Sequence, residues 1–145
     1  MNQHLVLRVV AKMLLPPILL FALYVQFHGD FGPGGGFQAG MIFAAAFILY
    51  ALVFGLEAAR RVAPEGVVRA AMAVGLLIFA GVGFAGLFLG GNYLDYSVLG
   101  ENQKAGQHLG ITLIEFGVGT TVAAVMITIF FAFAGRSARM SDEDW

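Results

Sequence analysis

The sequence predicts an all-α membrane protein of four transmembrane helices with both termini cytoplasmic. Three observations predict it. Of its 145 residues, 59% are hydrophobic and 12% charged, with a mean hydropathy of +0.84, whereas soluble domains carry about 25% charged residues. The apolar residues gather into four runs, each long enough to span a hydrocarbon core of about 30 Å at about 1.5 Å per residue. Arg8, Lys12, Arg60, Arg61, Arg69, Arg136 and Arg139 fall on one side of these runs and only Lys104 on the other. That bias puts both termini inside, since cytoplasmic loops hold the excess of basic residues.

The same balance narrows the function classes. A net charge of -1 and a pI near 6.3 offer no basic face to nucleic acid. Without cysteine there is no disulfide frame, thiolate nucleophile, iron–sulfur ligation or c-type haem attachment, so electron transfer by cofactors of its own is not expected. The expectation for the whole chain is no cofactor and no enzymatic activity. The histidines His4, His28 and His108 lack metal-ligand spacing, and no metal is expected. Arg8 and Lys12 precede an apolar run as in a signal peptide, but the run continues through FALYVQF without a small-x-small cleavage site. It is expected to remain as a membrane helix.

Taken in order, helix 1 is expected over about 5–27, with a kink or wide turn at Pro16-Pro17, where two backbone donors are missing. Helix 2 is expected over about 37–56, followed by Glu57, Arg60 and Arg61, whose spacing allows an interfacial pair. A short connection from Val62 to Gly66 leads to helix 3, about 67–91, carrying Gly75, Gly81, Gly83, Gly86 and Gly90. The Gly86-xxx-Gly90 step reads as close helix packing. The connection from Asn92 to Gln107 holds Tyr93 and Tyr96 at the level of an aromatic belt, with room for a short interfacial helix. Helix 4 is expected over about 109–134. The membrane domain then spans residues 1–134, and residues 135–145 form a polar cytoplasmic tail.

Two places could carry chemistry. Glu115 lies well inside helix 4, where an unpaired carboxylate costs several kcal/mol. At about 100° per residue, His108, Thr112, Glu115 and Gly119 share a stripe about 60° wide, so a histidine, a hydroxyl and an acid face one way and could pass or hold a cation or proton. Glu115 could equally lock helices or a neighbouring subunit together. His108 could be a solvated surface histidine, and Thr112 could bond back to its own helix. The second place is the stretch from His28 to Gly40, HGDFGPGGGFQAG. Pro33 and Gly34-Gly35-Gly36 permit a tight turn that sets Phe37 at the start of helix 2, whose N-terminal dipole would favour an anion nearby. Gly36, Gly40 and Ala44 give helix 2 a small-residue face. His28 and Asp30 could relay a proton or simply form a solvated loop. Gly34-x-Gly36-x-x-Ala39 satisfies a dinucleotide fingerprint only superficially, because a membrane helix rather than a strand precedes it.

The motif PGGGFQAG after a first membrane helix, the preceding His28 and the later run Ile114-Glu115-Phe116-Gly117-Val118 resemble the MnhB/MrpB family, one of the subunit families of the Mrp-type multisubunit cation/proton antiporters. The likeness runs from Arg8 to Phe133. It implies four helices, a bacterial inner membrane, and assembly with several other membrane subunits, some similar to the proton-pumping subunits of respiratory complex I. It carries over Pro33, Gly34, Gly35, Gly36 and Phe37 as the family's turn and Glu115 as the acid of its last helix. Family members often have aspartate at that position, and a histidine nearer the proline than His28. The expected function is therefore an integral subunit of a Na+/H+ antiporter that contributes to assembly and to part of the ion or proton path. A purely structural packing subunit, and the same module in a redox-driven ion-pumping complex, are the alternatives.

Overall fold

The computed structural model describes residues 5–29 and 32–137. Among them the chain forms α1 (Leu5–His28), α2 (Gly36–Phe54), α3 (Leu56–Val62), α4 (Glu65–Phe88), a 3-10 turn (Tyr96–Leu99) and α5 (Gln103–Ser137). Four of the helices, α1, α2, α4 and α5, are long and apolar enough to cross a membrane. Asp30, Phe31 and the tail from residue 138 lie outside the described residues.

Several boundaries differ from expectation for physical reasons. α1 runs unbroken through Pro16 and Pro17, so no wide turn interrupts it; the fixed φ of proline is itself helical, and a bilayer helix tolerates the lost donors. α2 stops at Phe54 because Gly55 takes φ +95°, a left-handed conformation open chiefly to glycine. The chain then restarts as α3, a fifth helix that apolar periodicity did not foresee. α4 begins at Glu65, directly after Pro64, and ends before Gly90, which takes φ +86°. α5 starts at Gln103 rather than near Leu109 and has 35 residues, about 52 Å of helix. It is longer than a hydrocarbon core is thick, so its polar first turns need no membrane.

α2 and α5 stand in the middle, with α1 packed on α2 and α4 packed on α5. The interior is made largely of small residues, joined by a few larger ones such as Ile127 and Phe131. Ala22, Ala39, Ala44, Ala46, Ala59 and Ala124 are nearly inaccessible, while Val6, Met13, Leu77 and Phe88 point outward. This inverts a soluble core, where the largest apolar side chains are interior. In lipid there is no hydrophobic drive between helices, and close backbone approach at small residues replaces it. One such crossing joins α4 to α5: a Cβ on Gly75 would stand 2.7 Å from the Gly117 carbonyl oxygen, and one on Gly117 would stand 2.9 Å from that of Gly75. Along α5, Thr112, Thr120, Thr121 and Thr128 each donate to the carbonyl four residues back at 2.8–2.9 Å, which satisfies their hydroxyls inside the helix.

The glycines further along α4 and just beyond its end correct the expectation of helix packing. Gly81 and Gly90 have open space around them, Gly83 receives the Tyr93 ring, and Gly86 faces the backbone of Asn92 and Asp95. Gly86-xxx-Gly90 is therefore where α4 ends against its own loop, not a helix–helix step. At the opposite end the Arg60 guanidinium pairs with Glu65 at 3.4 Å across the α3–α4 junction, instead of with Glu57 within one helix. The partner lies beyond the Pro64 turn, which helical spacing could not reveal.

Candidate functional site

The site is built where the α1–α2 turn meets the middle of α5. The turn folds back on the end of α1: the Gly32 N–H donates to the His28 carbonyl at 3.1 Å and the Gly35 N–H to the Val25 carbonyl at 3.2 Å. These bonds satisfy two of the carbonyls that every helix end leaves open. A Cβ on Gly34 would sit 2.8 Å from that same Val25 oxygen, and Gly35 takes φ +120°. Glycine is required at both positions, by close approach at one and by conformation at the other.

Clearing the turn of side chains makes room for Glu115. A Cβ on Gly29 would lie 2.6 Å from both carboxylate oxygens, and one on Gly35 would lie 2.9 Å from Oε1. A Cβ on Gly36 would fall on the Glu115 carbonyl oxygen, and one on Gly40 would stand 2.5 Å from the Gly119 carbonyl oxygen. The α1–α2 turn and the first turn of α2 thus close over one face of α5. α2 begins at Gly36 after Gly35, which has no side chain to cap it. The first N–H groups of a helix and its dipole favour negative charge, so the half-buried carboxylate lies beside a helix end that offsets part of its desolvation.

The predicted residues separate as follows. Glu115 and the turn glycines Gly35, Gly36 and Gly40 come together, while Pro33 and Phe37 remain exposed at the rim. Ala44, on the same small face of α2, is 1% exposed in the core. His28 is half-buried, its ring stacked on Tyr24 with centroids 5.0 Å apart, and Nε2 stands 3.1 Å from the Cβ position of Gly32. His108 is exposed near the start of α5, and Thr112 donates to its carbonyl at 2.8 Å. Asp30 lies outside the described residues. Among the described residues no three His, Asp or Glu side chains converge as a metal site would require.

Two participants were not singled out from sequence. Gly29 forms one wall of the carboxylate pocket. Gln26 is 9% exposed, the buried polar side chain of the described core, and its Oε1 lies 2.5 Å from the Cβ position of Gly119, one turn beyond Glu115. An amide inside the apolar run ILLFALYVQF was the available signal.

Comparison with known proteins bears on the same residues. A family model described as "Domain related to MnhB subunit of Na+/H+ antiporter" matches residues 6–128, which include α1, the turn and Glu115. The chain belongs to the MnhB family. It is 36% identical over 141 residues to the "Putative antiporter subunit mnhB2" of Staphylococcus haemolyticus strain JCSC1435, covering 92% of this chain and 96% of the relative. It is 35% identical over 137 residues to the protein of that name from Staphylococcus aureus strain Newman, with the same coverage. Family membership and four apolar helices together make this MnhB-family chain a multi-pass membrane protein.

Proposed function

We propose that this MnhB-family chain is a non-enzymatic integral subunit of a multisubunit Na+/H+ antiporter of the bacterial inner membrane, and that Glu115 forms part of its cation or proton path. The observation that carries the reading is the glycine-walled pocket around the Glu115 carboxylate, bounded by Gly29 and Gly35. A membrane acid that only filled space would need no such clearance. An acid that exchanges a proton or cation needs small walls and nearby backbone dipoles that can hold charge. His28, Asp30, His108 and Thr112 remain candidates for the approach to it. The relatives' antiporter names support the complex, and the Lys/Arg bias supports cytoplasmic termini and an outward-facing turn. Residues 1–134 then form one membrane domain, and residues 135–145 a cytoplasmic tail.

The same contacts favour a second reading, in which the turn and Glu115 hold α2 to α5 and the subunit serves assembly alone. Everted vesicles carrying the complex with Glu115→Gln separate the two. The path reading expects normal co-purification of the other subunits with Na+/H+ exchange reduced at least tenfold, whereas a complex that exchanges normally would leave only the structural role.

A further inference from the structure

Between the outer helices α1 and α4, with α2 and α5 as its floor, runs an open crevice of about 400 Å³. Its lining is apolar apart from Gln26 and Thr120, and the Thr120 hydroxyl is already donated to the Phe116 carbonyl at 2.8 Å. Small residues, Ala39, Gly40, Gly119 and Ala123, make the hollow, and Phe43 and Phe116 line it. Along α5 the lining extends from Phe116 to Ile127, about 16 Å of helix. That is about half of a ~30 Å hydrocarbon core, the depth that one leaflet supplies. Spread over this length, the volume leaves a mean cross-section of about 25 Å². A helix about 10–12 Å across occupies roughly 80–110 Å², so the crevice fits a hydrocarbon chain and is too narrow for a helix of another subunit.

One end of the crevice is formed by Val62, Ala63, Val67 and Val68 at the α3–α4 junction. Cations flank it. Arg61 directly precedes Val62 and Arg69 directly follows Val68, and both are exposed. Arg60 is taken by Glu65 at 3.4 Å, and the Lys12 ammonium lies over the Phe54 ring at 5.7 Å. Glu57, one turn before Arg61, is the remaining acid among the described residues of this end. The mouth therefore keeps an excess of positive charge beside an apolar channel.

We propose that the crevice is a binding site for one anionic phospholipid: an acyl chain lies along α5 between α1 and α4, and the phosphate rests at Arg61 and Arg69 at the membrane surface on the basic side. The apolar walls hold the chain through many weak dispersion contacts. The two guanidiniums, planar forks suited to phosphate oxygens, favour an anionic headgroup over a zwitterionic one. A chain bound there joins α1 to α4 across the crevice and ties both outer helices to the bundle.

The test uses the whole complex in nanodiscs carrying phosphatidylglycerol or phosphatidylcholine with a photoactivatable diazirine on one acyl chain. Labelled residues are located by mass spectrometry, and subunit co-purification checks assembly. The expected result is labelling at Phe43 and Phe116 by the phosphatidylglycerol probe, at least about fivefold above the phosphatidylcholine probe. Arg61→Gln combined with Arg69→Gln should cut that labelling by at least about fivefold, to the phosphatidylcholine level. Val67→Trp, which fills the mouth from an exposed wall position, should abolish it. Equal labelling by the two probes overturns the proposal, as does labelling that the arginine variant leaves unchanged. A crevice that takes no label from either probe also overturns it, the outcome expected if side chains of another subunit fill the space. If the arginine variant does not assemble, Val67→Trp decides: lost label supports the site and retained label overturns it.

Discussion

The α1–α2 turn and the loop after α4 are built by the same device and put it to different ends. Both press onto a long helix where glycines, on the turn itself in one case and on the helices in the other, leave notches. At the turn, Gly29, Gly35 and Gly36 admit a carboxylate and a backbone carbonyl of α5; at the loop, Gly83 admits the Tyr93 ring and Gly110 admits Tyr96. Tyr93 also meets Phe84 edge to face at 5.8 Å. A notch filled by a ring is a packing joint, since the ring brings apolar area and no exchangeable charge. A notch filled by a membrane carboxylate adds a group that can change its proton or ion. The comparison separates glycines that receive an aromatic ring from glycines that line the proposed site.

Substitutions sharpen that contrast. The largest loss is expected at Gly36, where a new methyl would strike the Glu115 main chain rather than a movable side chain. Gly36→Ala should cost more than the ~1–3 kcal/mol of ordinary overpacking, visible as collapse of the assembled complex on a sizing column. At Gly83 the obstacle is a side chain that can swing away. Gly83→Ala should cost ~1–3 kcal/mol, lower the thermal midpoint of the complex, and leave exchange per assembled complex unchanged. Adding Tyr93→Ala should make the two effects clearly non-additive, as for residues in contact, and additivity would remove the notch from the account.

Smaller effects are expected further along the same loop. The Ser97 hydroxyl and then the Ser97 N–H bond the Asp95 carboxyl and hold it below the ordinary carboxylate range, against a small opposing effect of burial. Because the folded value is depressed, this contribution is present above the unfolded value and is lost as pH falls through the folded one. Ser97→Ala should move the Asp95 titration, followed by NMR, back up towards the ordinary value. An unmoved titration would show that the serine is not what depresses it. The smallest change is expected at Gly81, where nothing surrounds a new methyl. Gly81→Ala should be neutral or stabilise by up to ~1 kcal/mol through helix propensity, and a marked loss would mean that this face of α4 is covered in the complex.

Much of the scaffold was legible because span length and apolar composition are strong signals in a bilayer. The four long helices follow from them, and so does the weight placed on Glu115, an acid inside an apolar run. What escaped depended on backbone conformation or on partners distant in sequence. The break at Gly55 rests on a positive φ that periodicity does not encode. The α4 glycines all looked like packing positions, yet only the surroundings supplied by Thr121, Tyr93 and Asp95 distinguish Gly75 from Gly83 and Gly86. Gln26 stood in the apolar run ILLFALYVQF as a lone amide, but its burial and its place opposite Gly119 depend on how α1 packs on α5. The turn and the acid each stood out in the sequence, and the fold supplied the fact that they touch.

That contact is the central claim, and a double-mutant cycle on exchange tests it most directly. Gly29→Ala would place a methyl 2.6 Å from the Glu115 carboxylate oxygens, and Glu115→Asp withdraws the carboxyl by one methylene. In vesicles with assembled complex, Gly29→Ala alone should cut Na+/H+ exchange sharply, and adding Glu115→Asp should recover much of it, a coupling of at least ~1 kcal/mol. If the two substitutions simply multiply, with no recovery in the double variant, the glycine turn and the acid do not form one site.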